Sequence, residues 1–346
     1  MPIALLKLPF LIQERICKEM NFSQLTVMSL CFLRVQRLIE FLHLTVPKLY
    51  YNSQKKYLLC EIHIGGKIKK VLAVVEDPSL FPADSRESES DGSKFIARFS
   101  SNLDHEGDVY YKMYVPSIST TMQRVIQEYI NSLFHYVGPN GLKISADSFS
   151  ESLPGLENVT DSYIEGERID VKVLEDYLTK YPNHHSANIV AAIYGEIAED
   201  SRIWNIQRLC IHNQEVGIFL RKFTGQHLRL LNVHAEASDV GYFLNEWVSK
   251  KAFQNLKTLW IGWKKHHDAA FHEIVDGNRF GIEHRDPMKS NRPSHFKYNT
   301  QIIGTDTRDI FIREWTIAEI KRNDGKRAFL HYSPQSICLF VRDDLE

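Results

Sequence analysis

At 346 residues with 43% hydrophobic content, the chain can bury a sizeable core, enough for one large domain or two small ones beside any N-terminal module. Its 42 basic and 43 acidic residues leave a net charge of -1, which removes the long-range field that would draw it to nucleic acid or an anionic membrane. The five cysteines, Cys17, Cys31, Cys60, Cys210 and Cys338, are scattered and form no C-x-x-C pair, which argues against a disulfide framework or structural zinc and for a reducing compartment.

Met1 to Leu11 is interrupted by Lys7 and lacks a small-residue cleavage pattern, and no apolar run is long enough to span a bilayer, so a cytoplasmic or nuclear location is expected. Three short helices are then predicted between Pro9 and Leu44. Leu8, Ile12, Ile16 and Met20 recur every fourth residue and line one stripe, with Pro9 suited to the first turn because its missing N–H would be unpaired there. Asn21 and Ser23 can cap a second helix carrying Leu25 and Met28, which ends near Leu30. A third runs from Phe32 to Leu44 with Val35, Leu38 and Leu42 on one side, stopped by Pro47. Phe10, Leu11, Phe22, Phe32, Phe41 and Leu44 exceed what so small a bundle can bury, and surplus apolar surface marks a contact with another chain or domain.

Leu8-Pro9-Phe10 with Ile12, Ile16, Leu25, Leu30-Cys31, Arg34 and Leu38 resembles the F-box, the module that docks on the Skp-type adaptor of cullin-RING ubiquitin ligases. Ser29-Leu30-Cys31, the run Leu256 to Trp263 and Lys321-Arg322-Asn323-Asp324-Gly325-Lys326 are similar to a nematode family pairing an F-box with a type-2 F-box-associated domain. The sequence departs from the F-box pattern at Asn21-Phe22, where many carry an acidic residue, and at Val35-Gln36, where an aromatic is common. The resemblance implies an F-box over 1–48, adaptor contacts at Leu8, Pro9, Phe10, Ile12, Ile16, Met20, Leu25, Leu30, Cys31, Arg34 and Leu38, and a target-recognition region over 49–346.

After Pro47 the pattern turns to strands. Tyr57 to Ile64 and Lys67 to Val75 flank Gly65-Gly66, a hairpin turn and not a phosphate loop, since neither further glycines nor a glycine-lysine-serine/threonine ending follows. The acidic, serine-rich stretch Asp84 to Ser93 reads as a solvated loop, with strands at Phe95 to Ser100 and Val109 to Val115 and a helix from Ser119 to Phe134 closed by Gly138-Pro139. These hairpins and helix make up 49–140.

Over 171–346, strand-like Ile206 to Ile211, Leu228 to Val233 and Leu256 to Ile261, with a helix at Val240 to Val248, repeat at about 22 to 28 residues, close to leucine-rich-repeat periods. A parallel strand set with helices behind is expected, capped by antiparallel strands at Phe311 to Ile320, Ala328 to Tyr332 and Ile337 to Val341 around an Asp324-Gly325 turn. The fold class is thus mixed α/β. Alternation separates Leu259, Ile261 and Trp263 from Trp260, so one of Trp260 and Trp263 stands on the open sheet face and is the candidate anchor for a target protein. Trp204, Trp247 and Trp315 are expected in the core.

Lys264 to Glu273 crowds possible metal ligands, but Asp276 stands where a zinc-protease helix needs its second histidine, and His267 and His272 are five apart. His184-His185 fits a surface turn after Pro182. No serine elbow or cysteine-histidine signature appears. No catalytic residue, metal or cofactor is therefore assigned. The expected role is a non-catalytic substrate receptor of a ubiquitin ligase. The competing reading is a leucine-rich-repeat-like scaffold without a ligase role, whose N-terminal helices cap its own stack. A hydrolase built on His266 to Glu273 is the third.

Overall fold

The computed structural model describes residues 5–64, 67–81, 97–103, 107, 109–150, 153–264, 295–298, 302, 308–311, 317–333 and 335–342. The chain is mixed α/β and divides into two compact units, Met1–Thr160 and Asp161–Glu346. The Gly65-Gly66 turn, the Asp84 to Ser93 stretch, the His266 to Glu273 cluster and Trp315 lie outside the described residues.

The first unit begins with helices α1 (Phe10–Glu19), α2 (Phe22–Cys31) and α3 (Leu33–Phe41). Strands β1 (Leu49–Gln54), β2 (Tyr57–Ile64), β3 (Lys67–Glu76), β4 (Arg98–Leu103) and β5 (Val109–Val115) follow, then α4 (Thr120–Leu133) and β6 (Asn140–Ser145). The strands lie in the order β6-β1-β2-β3-β5-β4, parallel at β6/β1 and β3/β5 and antiparallel elsewhere. One face buries Tyr51, Leu58, Ile62, Leu72 and Val74. The segments 1–48 and 49–140, separated in the sequence reading, fall within one compact unit, because α2 is bonded directly to β5 and α4.

Helix α3 ends earlier than the sequence suggests. It stops at Phe41, and His43 takes a left-handed conformation (φ 46°) four residues before Pro47 would act. His43 stacks on His135, itself left-handed at the end of α4, with ring centroids 4.3 Å apart. Helix α4 matches its expected span, with the Ser119 hydroxyl accepting from the Met122 N–H and Met122, Ile126, Ile130 and Leu133 buried.

The second unit carries β7 (Val159–Glu165), β8 (Arg168–Asp170), α5 (Val171–Lys180), β9 (Ser186–Ile189), β10 (Ala192–Tyr194) and β11 (Arg208–His212). Then come α6 (Val216–Lys222), β12 (His227–Val233), α7 (Ala237–Val248) and β13 (Thr258–Trp263). A small hairpin of β14 (His295–Tyr298) and β15 (Arg308–Phe311) precedes β16 (Ile317–Lys321), β17 (Arg327–Ser333) and β18 (Ser336–Arg342).

Strands β7, β9, β11, β12 and β13 are all parallel and neighbours in chain order, the arrangement short right-handed crossovers produce. In register, Ser186, Arg208, His227 and Thr258 begin successive strands, at offsets of 22, 19 and 31 residues, a wider scatter than the 22 to 28 read from sequence. As expected, β18, β17 and β16 extend the set from β13 in antiparallel sense, and Gly325 (φ 94°) takes the left-handed position in the β16–β17 turn. Rows of Ala187, Leu209, Leu228, Leu259 and Leu339 and of Ile189, Ile211, Leu230, Ile261 and Ile337 form the buried face.

Candidate docking face on the N-terminal helices

Helix α2 holds the three-helix segment in place. Asn21 forms a reciprocal capping box with Gln24, its side chain accepting from the Gln24 N–H at 2.8 Å and the Gln24 side chain accepting from the Asn21 N–H at 3.0 Å. Ser23, read from sequence as a second cap, is instead a cross-brace: its hydroxyl accepts the Tyr111 N–H of β5 at 2.9 Å. One turn on, the Thr26 hydroxyl donates to the Phe22 carbonyl. The Tyr129 hydroxyl of α4 donates to Ser29 at 2.8 Å. Ser23, Thr26 and Ser29 are all buried, so α2 approaches the strands through small polar side chains, with Leu25 the apolar member of that face. The three-residue spacing of Ser23, Thr26 and Ser29 is the signal that apolar periodicity overlooked.

The apolar side chains are left on the outside. Leu11 is 75% exposed, Phe41 65%, Leu33 62%, Phe32 58%, Ile12 47% and Phe10 45%. Phe10 and Phe41 meet edge to face, centroids 5.3 Å apart, which joins the start of α1 to the end of α3. Leu30, Phe32 and Leu33 form a second cluster at the α2–α3 junction. The nine residues of α3 put the two clusters about 12 Å apart. Among the described residues, eight of the fifteen exposed large hydrophobics fall between Leu6 and Phe41, a concentration that isolated surface leucines do not produce. Residues 1–48 also carry six Lys/Arg against three Glu.

The residues expected to contact an adaptor separate by position. Pro9, Phe10, Ile12, Leu30, Cys31 and Arg34 are exposed, and Leu8, Ile16 and Met20 are half-buried. Leu25 and Leu38 belong to the unit's own core, at 2% and 7% exposure, and are withdrawn as docking contacts. The one residue α1 buries is Cys17, so its four-residue stripe does not face inward. Phe22, counted in the surplus, is half-buried against Phe134. Leu33 was missed because it opens a helix and its neighbours on the helical wheel are charged.

On the second unit, Trp260 and Trp263 part as alternation requires. Trp263 is buried, while Trp260 is half-buried in a row with Tyr163, Asn188, Cys210, Arg229 and Cys338. The Arg229 guanidinium lies 5.4 Å from the Trp260 ring centroid. On the same face burial, then Arg208 and Lys257, draw His227 down to about 4, and burial followed by Arg229 lowers His212. Burial, partly opposed by Arg229, raises the Cys210 thiol to about 12.

His184 is no surface residue. Its Nε2 lies 2.6 Å from the Ser162 hydroxyl, which also meets the Tyr177 hydroxyl at 2.6 Å, and its Nδ1 faces the Tyr181 carbonyl. Burial is the main reason its pKa falls to about 4. A serine beside a histidine has the outline of an activated nucleophile, but Ser162 and Tyr177 are fully buried, so the cluster ties β7 to the end of α5 without offering the hydroxyl to a substrate. His185 is exposed. A cavity of about 180 Å³ in the first unit is bordered by Ser53, Glu76 and Gln123, where Glu76 accepts the Ile118 N–H and Gln123 the Gly155 N–H.

Among the described residues no group of three or more His, Cys, Asp or Glu could hold a metal ion, and no helix is long and apolar enough to cross a membrane. No family model, curated protein or solved structure matches this chain.

Proposed function

We propose that the chain is the target-binding subunit of a Skp-cullin-F-box type ubiquitin ligase, with α1–α3 as the adaptor-docking module and the second unit as the target-recognition domain. The observation that carries this is the exposed apolar face spread over both ends of α3, on helices already fixed by their inner side. Covering Leu11, Phe32, Leu33 and Phe41 with a partner would contribute on the order of 5 kcal/mol, at the usual 1.5–3 kcal/mol per large apolar side chain scaled by their exposure. The F-box resemblance supplies the identity of the partner, a Skp-type adaptor and through it the cullin-RING machinery. The sequential parallel strands of the second unit support a degenerate leucine-rich-repeat-like reading, and Trp260, half-buried beside the buried Arg229, is the candidate aromatic anchor. The role is tethering: holding a target beside the transfer machinery raises its effective concentration without any bond being made by this chain. A reducing, cytoplasmic or nuclear setting is the compartment this role calls for.

The scaffold alternative gains from the bonds of Ser23 and Ser29, which show that the helices are braced by their own unit. Hydrogen exchange of the full chain with and without a Skp-type adaptor tests the choice. The receptor reading expects α2 amides protected in both states, with new protection at Phe10 to Ile12 and Leu30 to Leu33 on adding adaptor. Unchanged exchange there would favour the scaffold.

A further inference from the structure

At one end of the first unit's sheet, positions that belong to the core change from apolar to polar. The inward side chains of β1 run Leu49, Tyr51, Ser53, and those of β3 run Leu72, Val74, Glu76. Ser53 pairs with Leu58 of β2 and with Ile144 of β6, and Leu58 pairs with Val74, so one buried row across four strands reads Ile144, Ser53, Leu58, Val74. A serine in that row, 4% exposed, gives up the packing that an aliphatic side chain would supply there. Among the described residues no hydrogen bond reaches its hydroxyl.

Ser53 and Glu76 border the cavity of about 180 Å³, which Gln123 near the start of α4, Ser148 after β6, Ile118 and Ile144 help to enclose. The bonds that fix its wall leave polar atoms over. Glu76 Oε2 accepts the Ile118 N–H at 3.0 Å, and Gln123 Oε1 accepts the Gly155 N–H at 2.7 Å. Among the described residues, the other Glu76 oxygen, the Gln123 amide N–H groups and the Ser53 and Ser148 hydroxyls have no partner. Lys55 also borders the cavity but forms no ion pair with Glu76. A half-buried carboxylate without a cation is unusual, since charges withdrawn from water are ordinarily paired. The wall is set before anything binds: Gly155 lies so close to the Thr120 carbonyl that a Cβ would collide with it, and Gln127 exchanges two bonds with the Glu157 backbone. A carboxylate facing hydroxyl and amide groups suits a cation that also carries an oxygen, the ammonium meeting Glu76 and the oxygen accepting from Gln123 or the serines. At about 30 Å³ for each water in the liquid, the space takes about six waters, or an organic molecule with about as many non-hydrogen atoms.

The geometry points to this cavity as a binding site for a small primary ammonium compound carrying an oxygen acceptor, an amino alcohol or an amino acid of about six non-hydrogen atoms. The site stands whether or not α1–α3 engage an adaptor. Saturation-transfer NMR and thermal melts of the full chain with serinol, L-serine and glycerol, each up to about 50 mM, test it. The expected result is saturable binding of serinol or L-serine, whichever is tighter telling an alcohol ligand from a carboxylate one. Glycerol, which matches serinol in size and lacks the ammonium, is expected not to bind. Glu76→Gln keeps an acceptor for the Ile118 N–H and should weaken binding at least tenfold, whereas Glu128→Gln, on the exposed side of α4, should change it less than twofold. If Glu76→Gln melts earlier than the parent, Ser53→Val reads the same cavity: it replaces the hydroxyl with an apolar side chain and should abolish binding at an unchanged or higher melting temperature. Absent binding of both amines, an equal signal from glycerol, or equal binding by the parent and Glu76→Gln would overturn the assignment.

Discussion

Helices α1–α3 and α5–α7 are of similar length, yet they dispose of their apolar side chains in opposite ways. Helix α7 puts Val240, Phe243, Leu244 and Trp247 fully inside, and α6 does the same with Val216, Phe219 and Leu220. Among the described residues of the second unit only Tyr194 and Tyr242 stand as large exposed hydrophobics. Helix α1 buries Cys17 alone, and α2 is held largely by serine and threonine. One set of helices takes its stability from the core it helps to build. In the other, hydrogen bonds act together with the buried Leu25, Val35, Leu38 and Ile39, and large apolar side chains at both ends of α3 stay exposed.

The largest effect that sharpens this contrast is on the core side. Trp247→Ala removes a fully buried indole whose outer face carries the Arg322 guanidinium 5.6 Å away, and should lower stability by about 4 kcal/mol in urea unfolding. On the N-terminal helices the two faces should respond differently. Leu25→Ala is expected to cost about 3 kcal/mol, whereas Leu11→Asp should lower stability by no more than about 0.5 kcal/mol, because Leu11 is largely exposed among the described residues. Equal losses at the two positions would erase the distinction.

A pH dependence is predicted in the second unit. His184 has a folded pKa near 4, below its unfolded value near 6.5, so the unfolded chain takes up the proton first as pH falls. The contribution of neutral His184 is complete above about pH 6.5 and is lost as pH drops toward 4, amounting to roughly 2–3 kcal/mol. Urea midpoints measured between pH 7 and 4 should fall less steeply in His184→Gln than in the parent.

Much of the architecture was legible because it is written in local periodicity. The β2–β3 hairpin, helix α4, the strand-helix-strand run from β12 to β13 and the closing antiparallel strands all have alternating or 3.6-residue patterns of their own. Strand β9, with Ser186 and Asn188 buried, and helix α6, only seven residues long, carry no such pattern and went unseen. The exposed apolar face of the N-terminal helices was half legible. A surplus of phenylalanine could be counted, but which side of α2 turns inward depends on Tyr111 and Tyr129, some hundred positions away, and no spacing rule could place Leu25 and Leu38 in the core. The Ser162–His184 pair was hidden for the same reason: its members meet only after β7 and the end of α5 are brought together.

The most direct measurement is calorimetric titration of a purified Skp-type adaptor into the full chain and into its Leu11→Asp/Phe32→Asp/Phe41→Asp variant, with thermal melts of both recorded beside it. The account predicts one-to-one binding by the parent and none by the variant, at matching melting temperatures. Failure of the parent to bind, or undiminished binding by the variant, would contradict it.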